Sequence, residues 1–278
     1  MSSHYDLHCH STASDGNLSP TQLISRAHQQ GVTHLALTDH DTTQGLAEAA
    51  IAAAEFKLNL IPGIEISTTW HSHSLHIVGL NFNPLDSGLQ AGIKNLQNTR
   101  VERAQKIAEK LAKKHIPDAY AAVCKAAASG MITRSHFADF LLKQHHVDTQ
   151  QEAFDRYLGQ GKPAYVSTHW ASLEEAIGWI TQAGGVAVLA HPMRYKLSAN
   201  WMNRLLSHFK EVGGMAVEIV TGRSSVDEIK QLELYLKRYE LHGSVGSDFH
   251  SSTNQWVELG RLKSIPERIK PVWELFSA

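Results

Sequence analysis

Long apolar runs and cysteine are both scarce in this chain of 278 residues. No stretch approaches the roughly 20 apolar residues that a membrane-spanning helix needs, and the first residues lack the basic start and apolar run of a secretory signal peptide. The two cysteines, Cys9 and Cys124, are too few and too far apart to predict a disulfide framework or a thiolate zinc site. We therefore expect an unanchored, cytoplasmic protein.

Net charge is also nearly absent, at −1, but this value hides a local imbalance. Between Lys94 and Lys143 there are ten Lys and Arg residues against four Asp and Glu, so this segment carries +6 and the remainder −7. The simplest explanation for any single lysine is a solvated helix surface. The whole imbalance favours a basic module beside an acidic one.

Short apolar or β-branched runs alternate with helix-like segments over much of the chain. This alternation is typical of βα units and predicts a parallel, barrel-like sheet. Helix starts support it, because Ser19 precedes a proline at the first helical position and Ser172 begins a capping box. The predicted strands are Tyr5–His8, Thr33–Leu37, Leu58–Ile61, Leu75–Leu80, Val186–Leu189, Ala216–Val220 and Ser244–Gly246.

The strand pattern stops between about Leu85 and Val166, where apolar residues recur at helical spacing. Helical segments are predicted around Ala119–Ala128, Ser135–Gln144 and Gln151–Leu158. We predict a barrel domain formed by residues 1–86 and 167–278, interrupted by a basic helical insertion subdomain at 87–166.

The sequence is rich in histidine, with 18 residues, and their placement indicates a metal site. In Asp6-Leu7-His8-Cys9-His10, the two histidines are two residues apart on a predicted strand, so both point to the same side and can hold one cation. Alone, this pattern is weak. Asp15 follows in a Ser-Asp-Gly turn, close enough in sequence to reach the same cavity.

Further candidate ligands follow the next strands. Thr38-Asp39-His40-Asp41 leaves the second strand, where three adjacent ionisable groups are costly unless they bind something. Glu65 comes just after an apolar run, where packing explains a carboxylate poorly and a bridge between two cations explains it well. His76 lies inside a strand pattern, and a hydrogen-bonded core histidine is the alternative there.

The last candidates close the series. His191 follows Val186–Leu189 and precedes a proline, and Asp248 and His250 form an Asp-x-His pair after a short strand. In barrel enzymes such strand ends form the active-site face.

Asp-x-His-x-His, Thr-Asp-His-Asp, Pro-Gly-x-Glu, Ala-His-Pro and Gly-Ser-Asp-x-His, in this order, resemble the PHP (polymerase and histidinol phosphatase) family of metal-dependent phosphoesterases. The resemblance implies an α/β fold, a distorted (β/α)7 TIM-like barrel, and three divalent metal ions. It assigns His8, His10, Glu65 and Asp248 to one ion, Glu65, His76 and His191 to a second, and Asp15, His40 and His250 to a third. Some family branches have histidine in place of Asp15, and a carboxylate there favours Mn²⁺ or Fe²⁺ over Zn²⁺.

Such a cluster suits the hydrolysis of phosphate esters. Bound cations lower the pKa of a water molecule and neutralise charge on the phosphoryl oxygens. We expect the catalytic group to include Asp248, His191 and His250, and either histidine is an alternative acid for the leaving group if it is not a ligand.

The insertion is expected to select the substrate. Arg134, Ser135 and His136 lie at a predicted helix start, which suits a second phosphate through hydrogen bonds and free backbone N–H groups. Arg194 is a further candidate, and Lys162 and Tyr165 are weaker ones. The alternative is that Thr133 or Ser135 only caps the helix and Arg134 is solvated.

Within the PHP family, Ile-Thr-Arg-Ser-His-Phe and His-Ile-Val-Gly-Leu are similar to the ribonuclease AM (TrpH-like) branch, described as 3′,5′-nucleoside bisphosphate phosphatases and 5′-to-3′ exoribonucleases. The resemblance implies a nucleotide or short RNA substrate. The basic insertion is consistent with a polyanion. No aromatic ladder is evident, so a tight grip on long single strands is not expected. Nor is recognition of a DNA sequence, and protein partners cannot be inferred.

Three other functions remain open. An amidohydrolase acting on C–N bonds also begins with His-x-His, but its bridging residue normally lies mid-chain and its late Asp stands alone. A histidinol-phosphate-type phosphomonoesterase would not require Arg134. A non-catalytic PHP module would be expected to have lost ligands, and every expected position is filled here.

Overall fold

The computed structural model describes residues 4–128 and 130–276, and its centre is a barrel-shaped sheet. The strands are β1 (Tyr5–Asp6), β2 (His34–Leu37), β3 (Asn59–Trp70), β4 (His73–Leu80), β5 (Ala171–Ser172), β6 (Val186–Leu189), β7 (Ala216–Thr221) and β8 (His242–Gly246). They pair in the order β1-β2-β3-β4-β6-β7-β8, and the short β5 pairs with β3. Most pairs are parallel, as predicted.

Backbone contacts between the first and last strands nearly close the barrel. The N–H of Leu7 donates to the carbonyl of Val245 at 2.9 Å, and the N–H of Asp248 donates to the carbonyl of His8 at 2.8 Å. Cys9 and Phe249 form an isolated parallel bridge. The expected α/β class and distorted TIM-like barrel are thus confirmed, although β1 ends at Asp6 rather than at His8.

The prediction of a wholly parallel sheet was wrong at β4, which runs antiparallel to both β3 and β6. Strand β3 continues to Trp70 and reverses directly into His73. The reversal needs a positive φ, and His71 adopts one of 51°. Because the turn carries no glycine or asparagine, its residues gave no hairpin signal.

Nine α-helices are assigned within the described residues. They are α1 (Pro20–Gln29), α2 (Leu46–Phe56), α3 (Ser87–Ala112), α4 (Ala119–Ala127), α5 (Arg134–Lys143), α6 (Gln150–Ala153), α7 (Leu173–Gln182), α8 (Ala199–Glu211) and α9 (Val226–Tyr239). Ser172 forms the expected capping box, and Ser19 caps α1 as expected and also forms a capping box with Gln22. No helix in the described part of the chain has the length and apolar character to cross a membrane.

Two separate apolar cores lie outside the barrel interior. The barrel core lies between the sheet and the surrounding helices, the second core lies within the insertion, and helix α3 contributes to both. Its first half packs Leu89, Ile93 and Leu96 against the barrel core. Its second half packs Ala104 and Ile107 into the core of the insertion, together with residues of α4 and α5. The division of the chain at residues 87 and 166 stays a prediction. This long helix fixes the insertion over one end of the barrel.

Candidate metal centre

All nine residues predicted as ligands meet at one end of the barrel, around the buried carboxylate of Glu65. Glu65 lies inside β3 rather than after it, because β3 is eight residues longer than the four expected. The alternation of the longer strand directs this side chain into the barrel mouth. Its oxygens lie at 3.3 Å from His8, 3.3 Å from His10, 2.9 Å from His40, 2.8 Å from His76 and 3.0 Å from His191.

His8 and His10 point to the same side, as expected. Their Nε2 atoms lie 3.1 Å apart, and the Asp248 carboxylate is 3.5 Å from the first and 3.4 Å from the second. Both imidazoles are fully buried. Two ring nitrogens and two carboxylates therefore converge on one small volume, which is the donor set of a divalent cation.

A second convergence involves Asp15, which the turn after β1 brings to the cluster. Its Oδ1 lies 3.8 Å from Nε2 of His40 and 3.4 Å from Nε2 of His250. His10 is also within ligand distance of this group. The set assigned to the third ion thus comes together, with His10 as an addition.

The set assigned to the second ion also assembles, with one difference. Both His76 and His191 contact Oε1 of Glu65. One grouping of possible ligand atoms around this carboxylate, however, combines Glu65 and His76 with His40. His40 therefore lies between two groups, with Nδ1 towards Glu65 and Nε2 towards Asp15.

The unsatisfied polar atoms of the cluster fit cations well. Among the described residues, the buried atoms without a hydrogen-bond partner include Nδ1 of His40 and His76 and Oε2 of Glu65. Nδ1 of His40 lies 2.9 Å from Oε2 of Glu65, and Nδ1 of His76 lies 2.8 Å from Oε1. Buried nitrogen and oxygen atoms that lie this close without forming a hydrogen bond are expected where both atoms bind the same cation.

Burial and charge act against each other on the carboxylates. Burial raises the pKa of Glu65, but the imidazoles of His76, His40 and His8 outweigh it and hold this pKa well below its usual range. The pKa of Asp248 is lowered in the same way by neighbouring imidazoles. Burial lowers the pKa of His40 to about 4 despite the nearby carboxylates. Ionised carboxylates and a neutral imidazole are the protonation states that bind cations.

The carboxylates beside His10 favour a positive charge at this position. Burial lowers its pKa, but the hydrogen bonds to Asp248 and Glu65 outweigh this and raise the pKa to about 10. A cation bound between the two carboxylates would replace this proton, because imidazole binds metal ions in its neutral form.

Sequence reasoning missed Glu218, which orients two ligands from β7. Its Oε1 lies 2.7 Å from Nδ1 of His8, and its Oε2 accepts the N–H of His191 at 2.7 Å. The first contact leaves Nε2 of His8 free for a cation, which is the usual role of such a carboxylate. A single glutamate in the apolar run Ala216-Val217-Glu218-Ile219-Val220 was the available signal.

We expected Asp39, His40 and Asp41 together to bind a ligand, but only His40 joins the cluster in the structure. Asp39 accepts hydrogen bonds from the backbone N–H and hydroxyl of Ser11 and from the hydroxyl of Ser14, so it fixes the loop that carries Asp15. Asp41 accepts the backbone N–H of Ser67 and pairs with Arg100 of α3. Protein groups therefore satisfy both aspartates.

The predicted substrate residues lie at different points around the cluster. Ser135 donates to Oδ2 of Asp15 at 3.0 Å, and Arg194 pairs with Asp248. Nδ1 of His136 accepts the N–H of Thr133, completing a capping box of α5. Arg134 lies over the ring of Phe154. Of the weaker candidates, Lys162 is exposed and Tyr165 half-buried.

Arg134 does not act alone, because Arg100 and Arg103 of α3 lie beside it. We call these three residues the arginine pocket. They line a cavity of about 90 Å³ whose other wall includes Asp15, His40 and His76. The sequence analysis counted Arg100 and Arg103 in the basic segment but did not identify them as site residues.

The arginine pocket has an excess of positive charge. Arg100 pairs with Asp41, but Nε of Arg103 is buried without a hydrogen-bond partner among the described residues. Burial and the charges of Arg134 and Arg100 lower the pKa of Arg103 to about 9. A guanidinium destabilised in this way is stabilised by an anion.

A barrel with a cluster of histidines and carboxylates at its strand ends defines a class of proteins built to bind divalent cations. The model of the PHP domain matches residues 6–222, and the chain belongs to the PHP family. The resemblance read from the motifs is therefore confirmed.

Three similar proteins cover nearly the whole chain. A 5′-3′ exoribonuclease of Haemophilus influenzae is 46% identical over 99% of this chain and all of its own length. A 3′,5′-nucleoside bisphosphate phosphatase of Chromobacterium violaceum is 40% identical, over 98% of this chain and 96% of its own. A solved structure from Chromobacterium violaceum, described as an amidohydrolase with bound sulfate and no metal, is 41% identical, covers 98% of this chain and 96% of its own, and superposes with a TM-score of 0.94.

Proposed function

We propose that this protein hydrolyses the 3′ phosphate ester of nucleotides that carry a 5′ phosphate, both 3′,5′-nucleoside bisphosphates and short 5′-phosphorylated RNA. We call the nine predicted ligands the cation cluster. One observation carries the proposal: three guanidinium groups and three residues of this cluster, Asp15, His40 and His76, line the same cavity. A substrate with one phosphate in the arginine pocket and a second at the cluster satisfies both.

The relatives support this assignment with two descriptions of one reaction. In both an exoribonuclease working from the 5′ end and a bisphosphate phosphatase, water cleaves the bond between phosphorus and the 3′ oxygen. Only the group attached to the departing phosphate differs. Relatives with each description are similar to this chain at 40% identity or more over nearly its full length.

We further propose three divalent cations, with Mn²⁺ favoured over Fe²⁺ and Zn²⁺ because carboxylates take part in every group. The ligands are His8, His10, Glu65 and Asp248 for the first, Glu65, His76 and His191 for the second, and Asp15, His40 and His250 for the third. When bound, such ions make hydroxide available near neutral pH and neutralise charge on the phosphoryl oxygens.

The residues of the chain contribute position and charge. Glu218 holds His8 in the ring orientation that directs Nε2 inward. The arginine pocket binds the 5′ phosphate and so places the 3′ phosphate at the cluster, which lowers the entropic cost of reaching the transition state. Arg194 neutralises Asp248 on the side open to solvent. With His191 and His250 as cation ligands, neither imidazole would remain free for the alternative role of acid.

Two rival activities make less use of this geometry. A histidinol phosphate type of substrate has a single phosphate and leaves the arginine pocket without an anion. An amidohydrolase substrate, as the description of one similar structure suggests, needs neither the pocket nor the charge that the insertion carries. A cytoplasmic location and the absence of DNA sequence recognition remain parts of the proposal.

The experiment measures Mn²⁺-dependent release of phosphate from adenosine 3′,5′-bisphosphate, 3′-AMP and 5′-AMP. We expect rapid release from the bisphosphate and weak release from either monophosphate. Arg134→Ala should remove this preference, whereas Arg268→Ala, which removes an exposed arginine outside the pocket, should not. Equal activity on all three substrates, unaffected by Arg134→Ala, would contradict the two-phosphate proposal and favour a simple phosphomonoesterase.

A further inference from the structure

A second opening leads away from the cation cluster, on the side where Arg194 lies. Two cavities of about 460 Å³ and 810 Å³ both have Arg194 and Arg223 in their walls, and the larger one also includes Asp248 and His250. We call these joined cavities the far groove. It begins at the cluster and shares no lining residue with the arginine pocket.

One arginine side chain of the far groove has no carboxylate partner among the described residues. Arg223 is exposed, and no ion pair involves it within the described part of the chain. The nearby carboxylates are already engaged: Asp139 accepts a hydrogen bond from Gln150, and Glu228 caps the N-terminus of α9 through Ser225. The guanidinium of Arg223 therefore remains available to an anion.

An exposed aromatic residue, Trp256, lies in the sequence between two residues that line the same groove. Trp256 is 79% exposed, a costly position for so large an apolar surface. Its neighbours Asn254 and Val257 both line the groove, and the backbone N–H of Trp256 donates to Oδ1 of Asn254 at 3.1 Å. Exposed indole rings beside arginine side chains that can pair with phosphates are typical stacking platforms for nucleic-acid bases.

The chemistry of the proposed reaction requires space on this side. Water oxygen forms a bond to phosphorus while the bond from phosphorus to the 3′ oxygen breaks, and that oxygen leaves with the electron pair and takes a proton. In RNA the rest of the chain stays attached to the same phosphorus through a 5′ oxygen. With the first nucleotide in the arginine pocket, the remaining chain must leave the cluster elsewhere.

We infer that the far groove binds the nucleotide that follows the scissile phosphate, with Trp256 stacked on its base and Arg223 paired with the next phosphate. This inference rests on the proposed function. It makes oligonucleotides substrates in their own right, because they gain contacts that a bisphosphate cannot make.

A substrate series separates the two contacts. Adenosine 3′,5′-bisphosphate reaches neither residue, 5′-phosphorylated diadenylate adds the base for Trp256, and 5′-phosphorylated triadenylate adds the phosphate for Arg223. We expect Trp256→Ala to lower the ratio of kcat/KM for the dinucleotide over the bisphosphate about ten-fold. Arg223→Ala should lower the ratio for the trinucleotide over the dinucleotide by about ten-fold as well.

Arg268→Ala removes an exposed arginine outside the groove and should leave both ratios unchanged. Trp256→Phe, which keeps a stacking surface, should restore most of the loss. Ratios that do not change in Trp256→Ala and Arg223→Ala, with the wild type active on all three substrates, would overturn the groove and leave the proposed function standing. A wild type inactive on the bisphosphate and both oligonucleotides would overturn the proposed function itself, and the groove with it.

Discussion

The cation cluster and the arginine pocket face each other across one cavity, yet their charges are unbalanced in opposite directions. Around Glu65, carboxylates and imidazoles crowd together with buried atoms left unpaired. Around Arg103, Arg100 is the one guanidinium of the three that pairs with a carboxylate among the described residues, that of Asp41. Burying either group is costly without a compensating charge. Each region therefore suits a ligand of opposite charge: metal ions at the cation cluster and, as we propose, a phosphate in the arginine pocket.

Removing the charge at the centre of the cluster should have the largest effect. Glu65→Gln takes a shared carboxylate from all the histidines around it, and we expect kcat/KM to fall about a thousand-fold or more, since clustered cations contribute several kcal/mol of transition-state stabilisation. The same variant should lose the rise in Tm that Mn²⁺ gives the wild type.

Calorimetry with and without Mn²⁺ checks the second effect, and Glu240→Gln, an exposed carboxylate paired with Lys210, is the control. An unchanged Mn²⁺-dependent rise in Tm in Glu65→Gln would be inconsistent with a cation at this carboxylate.

On the opposite side, Arg103→Gln should raise KM for adenosine 3′,5′-bisphosphate about a hundred-fold, because a buried charge-assisted contact with the 5′ phosphate is lost. The effect on 3′-AMP should be much smaller, since this substrate has no 5′ phosphate. Initial-rate kinetics with both substrates measure the difference. Equal changes in KM would mean that Arg103 only supports the fold.

Glu218 should have an intermediate effect, because it orients a proposed ligand and does not touch the substrate. Glu218→Gln should lower kcat/KM by about 10- to 100-fold and raise the Mn²⁺ concentration needed for half-maximal activity. Initial rates at saturating Mn²⁺ and varied substrate give kcat/KM. A titration with Mn²⁺ gives the concentration needed for half-maximal activity. An unchanged Mn²⁺ requirement would assign Glu218 a purely structural role.

The smallest effect should come from the cap that supports the arginine pocket. Thr133→Ala removes the side-chain acceptor at the start of α5, which should lower the free energy of unfolding by about 1 kcal/mol. The change in KM for the bisphosphate should be smaller than the change in the Arg103→Gln variant. Urea unfolding and steady-state kinetics measure the two quantities, and Thr133→Ser should restore both.

The cation cluster could be predicted almost completely from the sequence, for a topological reason. Parallel strands bring their carboxyl ends to one edge, so His8, His40 and His191 had to meet wherever a barrel formed. The roles of Asp39 and Asp41 could not be predicted, because they depend on Ser11, Ser14 and Arg100, which are distant in sequence.

The arginine pocket could be predicted only in part. Arg134 was visible at a helix start, but Arg100 and Arg103 become pocket residues only when α3 packs beside α5, and helical spacing alone does not distinguish this from a solvated face. The antiparallel β4 was missed for a similar reason, since the turn at His71 has no characteristic turn residue. In both cases tertiary packing decided what local pattern left open.

A crystal structure of the protein with Mn²⁺ and AMP, including anomalous diffraction from manganese, tests the central claim most directly. We expect anomalous peaks among the side chains that surround Glu65 and Asp15. We expect the 5′ phosphate of AMP between Arg100, Arg103 and Arg134. A phosphate bound at the manganese ions, with the arginine pocket left to solvent, would contradict the claim that the two regions bind the two phosphates of one nucleotide.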